Sequence, residues 1–308
     1  MATISVLMAV YNCDKYLRES IDSILDQTWS DFEFIIVDDG STDNSLQILK
    51  EYSDPRIKVI TYEENKGVAH ARNVGLEQCT SEFVALMDAD DIALPDRLKL
   101  QYEYLMEHDE IDGVYARYRY MGIDGKLQEV EYPMAYYNYK YVKAVMIFEN
   151  TIANLTAMFR RQIVEEHQLR YDETCKIGSD YRFWIEFLRF GKIVGIDKVM
   201  CYYRLRHHSL FNNASISAKK ESVRQMISYN LKCLGFRLLT EEENALLKVF
   251  NIGGSIDSED EMLLLYKALL SMAKQAVQMQ LDFADEIKIM CKKRFLEKIQ
   301  NAGELWNW

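Results

Sequence analysis

Apolar residues in the first third of the chain fall into four short runs separated by segments of a different rhythm. Ile4 to Ala9, Phe32 to Val37, Ile57 to Tyr62 and Phe83 to Met87 each have the length of a strand. Between them apolar side chains recur at helical spacing: Leu17, Ile21, Ile24 and Leu25, then Leu46 and Leu49, then Val68, Ala71 and Gly75. Ser41, Thr42, Asp43 and Asn44 offer capping groups for the second of these helices. Pro95 suits the first turn of a helix running through Leu98 and Tyr102 to Leu105. Strands alternating with helices predict an α/β fold, a mostly parallel sheet with helices on both faces. In such sheets ligands bind beyond the carboxyl ends of the strands.

The pattern then changes twice. From about Asp112 to Arg206 it is mixed, with strand-like runs at Gly113 to Met121, Thr156 to Phe159, Ile193 to Ile196 and Val199 to Arg204, and a helix from Asp180 to about Arg189. From Ser215 onward only helical patterns remain, with Glu241-Glu242-Glu243 and Gly253-Gly254 read as breaks. The expected organisation is one α/β domain over 1–214, with halves 1–110 and 111–214, and a helical C-terminal region over 215–308.

At 308 residues, 49% of them hydrophobic, the chain can bury a sizeable core unaided. Its 37 basic and 48 acidic side chains leave a formal charge of −11, which argues against general binding to nucleic acid phosphates. A polyanionic ligand must therefore be met by a local arrangement or through a metal. No apolar stretch is long enough to span a bilayer. The N-terminal run has neither a basic leader nor a small-residue cleavage site. Six cysteines lie scattered, without C-x-x-C or metal-ligand spacing, as expected of buried thiols in a reducing compartment. The expected location is the cytoplasm.

The residues after each strand carry the chemistry. Tyr11-Asn12 follow the first, Asp38-Asp39-Gly40-Ser41 the second, Asn65-Lys66-Gly67 and then Arg72-Asn73 the third, and Asp88-Ala89-Asp90-Asp91 the fourth. Carboxylates crowded at one edge repel unless they hold a cation or accept from a ligand. Hard oxygen donors of this kind suit Mg²⁺ or Mn²⁺ bridging to phosphate. Neither a G-x-G-x-x-G fingerprint nor a P-loop lysine is present, which disfavours dinucleotide enzymes and P-loop kinases.

With these motifs in order, the chain resembles the family 2 glycosyltransferases of the GT-A fold. The matching residues are Ser5 to Asn12, Ile24 to Thr28, Ile36 to Asp43, Asn65 to Gly67, Ala71 to Leu76, Leu86 to Asp91 and Pro95 to Leu98. The likeness spans about residues 3–210. It implies a Rossmann-like GT-A sheet and an inverting transfer from a nucleotide-diphospho-sugar, with UDP as the expected nucleotide. By resemblance, Ala9, Tyr11, Asp39, Arg72 and Asp88 form the nucleotide site: Asp39 pairs with the pyrimidine, Tyr11 packs on it and Asp88 faces the ribose. Asp90 is the implied ligand of a divalent metal, Mn²⁺ or Mg²⁺.

Downstream, Gly178-Ser179-Asp180-Tyr181-Arg182-Phe183-Trp184 resembles the second signature of the family, which makes Asp180 the implied general base. Asp180 and Trp184 are four apart and share a helix face, and near a helix N-terminus Asp180 is expected to stay ionised. Trp184 is placed on the diphosphate or acceptor side, with a core tryptophan beside a capping Asp as the alternative. Tyr202 to Ser209 resembles a third family motif, with Arg206, His207 and His208 as candidates to meet the diphosphate. The implied acceptor is a hydroxyl of a glycan or lipid-linked glycan, in cell-surface polysaccharide synthesis. A non-catalytic nucleotide-sugar-binding or assembly scaffold of the same fold is the alternative. Ile287 to Trp308 combines Lys288, Lys292, Lys293, Arg294 and Lys298 with Ile289, Phe295, Leu296, Ile299, Leu305, Trp306 and Trp308. Such a stretch suits peripheral contact with the inner face of a membrane, or packing on its own region or on a second subunit as a homodimer.

Overall fold

The computed structural model describes residues 2–132, 138–205 and 214–302. Its first elements alternate as the apolar rhythm predicts: β1 (Ile4–Val10), α1 (Asp14–Leu25), β2 (Phe32–Asp38), α2 (Ser45–Lys50), β3 (Ile57–Thr61), α3 (Val68–Gln78) and β4 (Phe83–Asp88). The short β5 (Ile92–Ala93) and α4 (Arg97–Glu107) follow, then β6 (Gly113–Met121) and β7 (Leu127–Tyr132). After α5 (Tyr139–Val145) and a 3₁₀ turn at Asn154–Thr156 come β8 (Met158–Arg160), α6 (Arg161–Glu166), α7 (Ser179–Phe190) and β9 (Ile193–Arg204). Four helices complete the chain: α8 (Ile216–Leu234), α9 (Thr240–Val249), α10 (Glu259–Gln278) and α11 (Ala284–Ala302).

The strands form one sheet in the order β3-β2-β1-β4-β8-β6-β9-β5, with β7 paired to β6. The first four are parallel, and the register sets Val10 opposite Asp38 and Ala9 opposite Asp88. The carboxyl ends of three neighbouring strands are thereby level, which brings their trailing acidic residues to one edge. β1 and β4 are apolar almost throughout because both faces are covered. On one face α3 packs so closely that a Cβ on Gly75 would lie 2.0 Å from Leu7 Cδ1.

Two expectations need correction. Ile193 to Ile196 and Val199 to Arg204 belong to one strand, β9, parallel to β6. The register slips around Arg117, so the polar pair Asp197-Lys198 is accommodated as an irregularity, with Asp197 held by Arg117 at 2.8 Å. Glu241, Glu242 and Glu243 do not break a helix; they fill the first turn of α9, where carboxylates favour the helix dipole.

The chain divides into two compact units, residues 1–137 with 152–208 and residues 138–151 with 209–308. The sheet forms the first. In the second, Asn230 Nδ2 donates to the Met146 carbonyl (2.7 Å), Tyr139 to Asp282 (2.9 Å), and Arg294 pairs with Glu149. Among the described residues no helix is long and apolar enough to cross a membrane. All six cysteines are free thiols, four of them buried.

Candidate active site

The ends of β1 and β2 are tied by short polar turns. Asn12, in the left-handed backbone region at φ 49° that Asn tolerates, accepts from Thr42 N (2.8 Å) and donates its own N–H to Ser41 Oγ (3.0 Å). Tyr11 stands beside this turn, 45% exposed. Asp39 begins its loop with its N–H on the Val10 carbonyl (2.8 Å). Its carboxylate, only 2% exposed, accepts from Asn65 Nδ2 (2.9 Å), Lys66 N (2.8 Å) and Gly67 N (2.9 Å). A carboxylate has about four lone-pair sites, so the loop between β3 and α3 takes most of them. Gly40 makes this approach possible: its φ is +67°, and a Cβ there would sit 2.8 Å from Asn65 N. Burial pushes the neighbouring Asp38 carboxyl above its ordinary value.

Arg72 joins the two halves of the site. It rises from α3 to donate to Asp88 Oδ1 at 2.8 Å, and its guanidinium lies over the Tyr171 ring, 5.4 Å from the centroid. It also acts electrostatically on Asp180, in the first turn of α7. Burial pushes the Asp180 carboxyl up from its ordinary value, Arg72 opposes the shift, and Asp88 adds to it. The helix N-terminus therefore does not by itself keep Asp180 an ordinary carboxylate. The loop leading to α7 is fixed by Asn73, whose side chain accepts from Tyr171 N (2.8 Å) and donates to Tyr171 O (2.9 Å) and Glu173 Oε1 (3.0 Å). Glu173 is held below the usual carboxylate range by that amide and by His70, and Asp172 by Thr174 and Arg182. Both carboxylates serve the loop.

These residues have relatives. The family described as Glycosyl transferase family 2 matches residues 5–168, more than half of the chain. The chain belongs to this family. A Haemophilus influenzae protein named an uncharacterized glycosyltransferase is 30% identical over 96% of this chain and 97% of its own length. That likeness extends through the C-terminal helices, where none was expected. The Escherichia coli UDP-Glc:alpha-D-GlcNAc-diphosphoundecaprenol beta-1,3-glucosyltransferase WfgD is 28% identical over 71% of this chain and 83% of its own. The crystal structure of S. aureus TarS in complex with UDP-GlcNAc superposes with a TM-score of 0.64 at 21% identity, covering 96% of this chain and 92% of that one. The fold is accordingly GT-A, and the protein is a glycosyltransferase.

In this glycosyltransferase the Asp88–Asp91 turn is divided between two tasks. Asp91 is 1% exposed and turned inward, its Oδ1 accepting from Arg204 N (2.7 Å) and its carbonyl from Ser20 Oγ (2.6 Å). Asp90 keeps a partly exposed side chain while its carbonyl accepts from Arg204 Nε at 2.8 Å. Arg204, buried at the end of β9, also reaches Glu19 at 2.5 Å and lies over the Tyr16 ring. Sequence spacing did not single out Arg204 or Asn73 for these roles, because their partners are distant along the chain. Among the described residues no three His, Cys, Asp or Glu side chains could enclose an ion. Asp90 would supply one hard oxygen ligand to a divalent cation, which suits Mn²⁺ or Mg²⁺.

Trp184 is a correction. It is 0% exposed, donates its indole N–H to Asn154 Oδ1 (2.9 Å) and packs edge-on to Phe159 and Phe183. It is a core residue one turn deeper than Asp180 and does not line the diphosphate or acceptor side. Arg206, His207 and His208 lie outside the described residues. Tyr118, Tyr120 and Tyr203 form a ring cluster on β6 and β9, with centroids 5.3 to 5.6 Å apart.

Proposed function

We propose that this glycosyltransferase moves a sugar from a UDP-sugar to a hydroxyl of a glycan or lipid-linked glycan, with inversion, in cell-surface polysaccharide synthesis. The observation that carries the reading is the Asp88–Arg72–Asp180 arrangement, in which a donor-side carboxylate and a half-buried carboxylate on α7 answer to one guanidinium. The names of WfgD and of the TarS complex support a UDP-sugar donor, and that of WfgD a lipid-carried acceptor.

In this reading the Asp39 carboxylate, its loop contacts in place, accepts from the uracil, and Tyr11 covers the base. Asp88 faces the ribose with its charge balanced by Arg72. A divalent ion bound through Asp90 would offset charge on the departing diphosphate, and Arg206, His207 or His208 are assigned to the same diphosphate. Asp180 takes the proton of the acceptor hydroxyl as the new bond forms at sugar C1. The C1–oxygen bond to the diphosphate breaks on the opposite face, and UDP leaves. Burial makes Asp180 a stronger base than an exposed Asp and so better matched to this task.

Asp180→Asn tests the reading. Asn fills the same space and can cap the helix, but it cannot take a proton at neutral pH. Donor affinity should hold while transfer falls by about two to four orders of magnitude. Full transfer by Asp180→Asn would reject Asp180 as the base, and a parent without transfer to any glycan acceptor would leave a nucleotide-sugar-binding scaffold.

A further inference from the structure

In the second compact unit, α10 and α11 leave between them an open groove of about 540 Å³. Leu269, Ala273, Cys291 and Phe295 line it together with Leu270 and Val277, which remain 38% and 47% exposed. Single exposed apolar residues need no explanation, but apolar side chains gathered in a concavity of this size have the makeup of a ligand site. Burial pushes the Cys291 thiol up to about 12, so it adds no charge at neutral pH. The charged side chains that line the groove are Lys274, Lys288 and Lys292, all cationic in a chain of net charge −11. Lys288 also reaches Asp285 at 3.0 Å on the exposed side of α11.

We propose that this groove holds the apolar chain of an anionic lipid, a prenyl-like tail carrying a phosphate or diphosphate head, with the head against Lys274, Lys288 and Lys292. The tail covers the exposed wall, and the head matches a lining that has no carboxylate among the described residues. A second copy of the chain is a poorer fit, because an isologous contact packs the same patch on itself and would set lysines against lysines. A flat bilayer surface does not fill a concavity. The inference concerns this unit alone and does not depend on the transfer reaction.

Calorimetric titration of the full chain with farnesyl diphosphate tests it, with farnesol as the tail alone and inorganic diphosphate as the head alone. Farnesyl diphosphate should bind about tenfold or more tightly than either half. Leu270→Lys with Val277→Lys, and separately Lys288→Glu with Lys292→Glu, should each weaken that binding by about tenfold or more. Both pairs change exposed side chains, and a circular dichroism melt checks their folding. Absence of saturable binding overturns the proposal. So does equal binding by the parent and both double variants, which would place the lipid elsewhere, the donor site included. Sedimentation with phosphatidylglycerol vesicles without farnesyl diphosphate binding would make the face a membrane surface. Dimerisation abolished by Leu270→Lys, again without lipid binding, would make it a seam between copies.

Discussion

Asp39 follows β2 and Asp90 follows β4, the two strands that flank β1, and the structure gives them different surroundings. Asp39 is enclosed by three donors from one loop, whereas Asp90 has its backbone fixed by Arg204 and its side chain partly exposed. In the proposed reading Asp90→Ala abolishes the metal-dependent part of UDP binding and leaves the metal-independent part. Asp39→Ala weakens UDP with or without metal, because it removes the base contact and releases the loop that shapes it. Calorimetry of UDP with Mn²⁺ and with chelator separates the two. Tight UDP–Mn²⁺ binding by Asp90→Ala would overturn the metal assignment. In the same proposed reading the acid side of the pH–rate profile belongs to Asp180: with its carboxyl pushed up by burial, transfer should begin to fall at a pH above the ordinary Asp value of about 3.9. Arg72→Gln removes the opposing charge and should move that fall to higher pH still.

At the scale of elements, α3 positions both halves of the site, with Arg72 directed at β4 and Asn73 at the loop before α7. Asn73→Ala leaves the Tyr171 N–H and carbonyl without these partners, at a cost of about 1–3 kcal/mol for each group that stays unsatisfied. Urea unfolding should report that loss. Because the same loop delivers Asp180, kcat should fall more than the affinity for UDP. Equal kcat in Asn73→Ala and the parent would mean that the loop holds its place without the staple. Strand-end carboxylates could be found from sequence because parallel strands read as continuous apolar runs and ligands gather where the runs stop. The i, i+4 spacing of Asp180 and Trp184 identified a shared face of α7 but not its depth, since the end of a helix can meet solvent while the next turn is buried under Phe159. Asn73 pairs with a residue 98 positions away and Arg204 with one 185 away, and no local pattern encodes such contacts.

For the whole molecule, a carboxyl raised by burial makes stability depend on pH. The folded-state pKa of Asp180 is raised, so the folded chain holds that proton more tightly than the unfolded chain does. Below the unfolded Asp value of about 4 the group is protonated in both states and its contribution is fully present. As pH rises through the higher folded value, the carboxylate forms inside the site and that contribution is lost. Asp180→Asn never ionises and escapes the loss. Its Tm should therefore match that of the parent most closely at acid pH, then exceed it increasingly toward neutrality, and the gap should become constant once the parent Asp180 is fully ionised. Taking the difference between the two proteins cancels the other carboxylates, including Asp38, which burial also raises, and Glu173, which its partners lower. Thermal melts of both proteins across this range decide the matter. A difference independent of pH would mean that Asp180 titrates alike in the folded and unfolded chains, and a gap widening toward acid would mean that Arg72 outweighs burial and that Asp180 is a stabilising ion-pair partner.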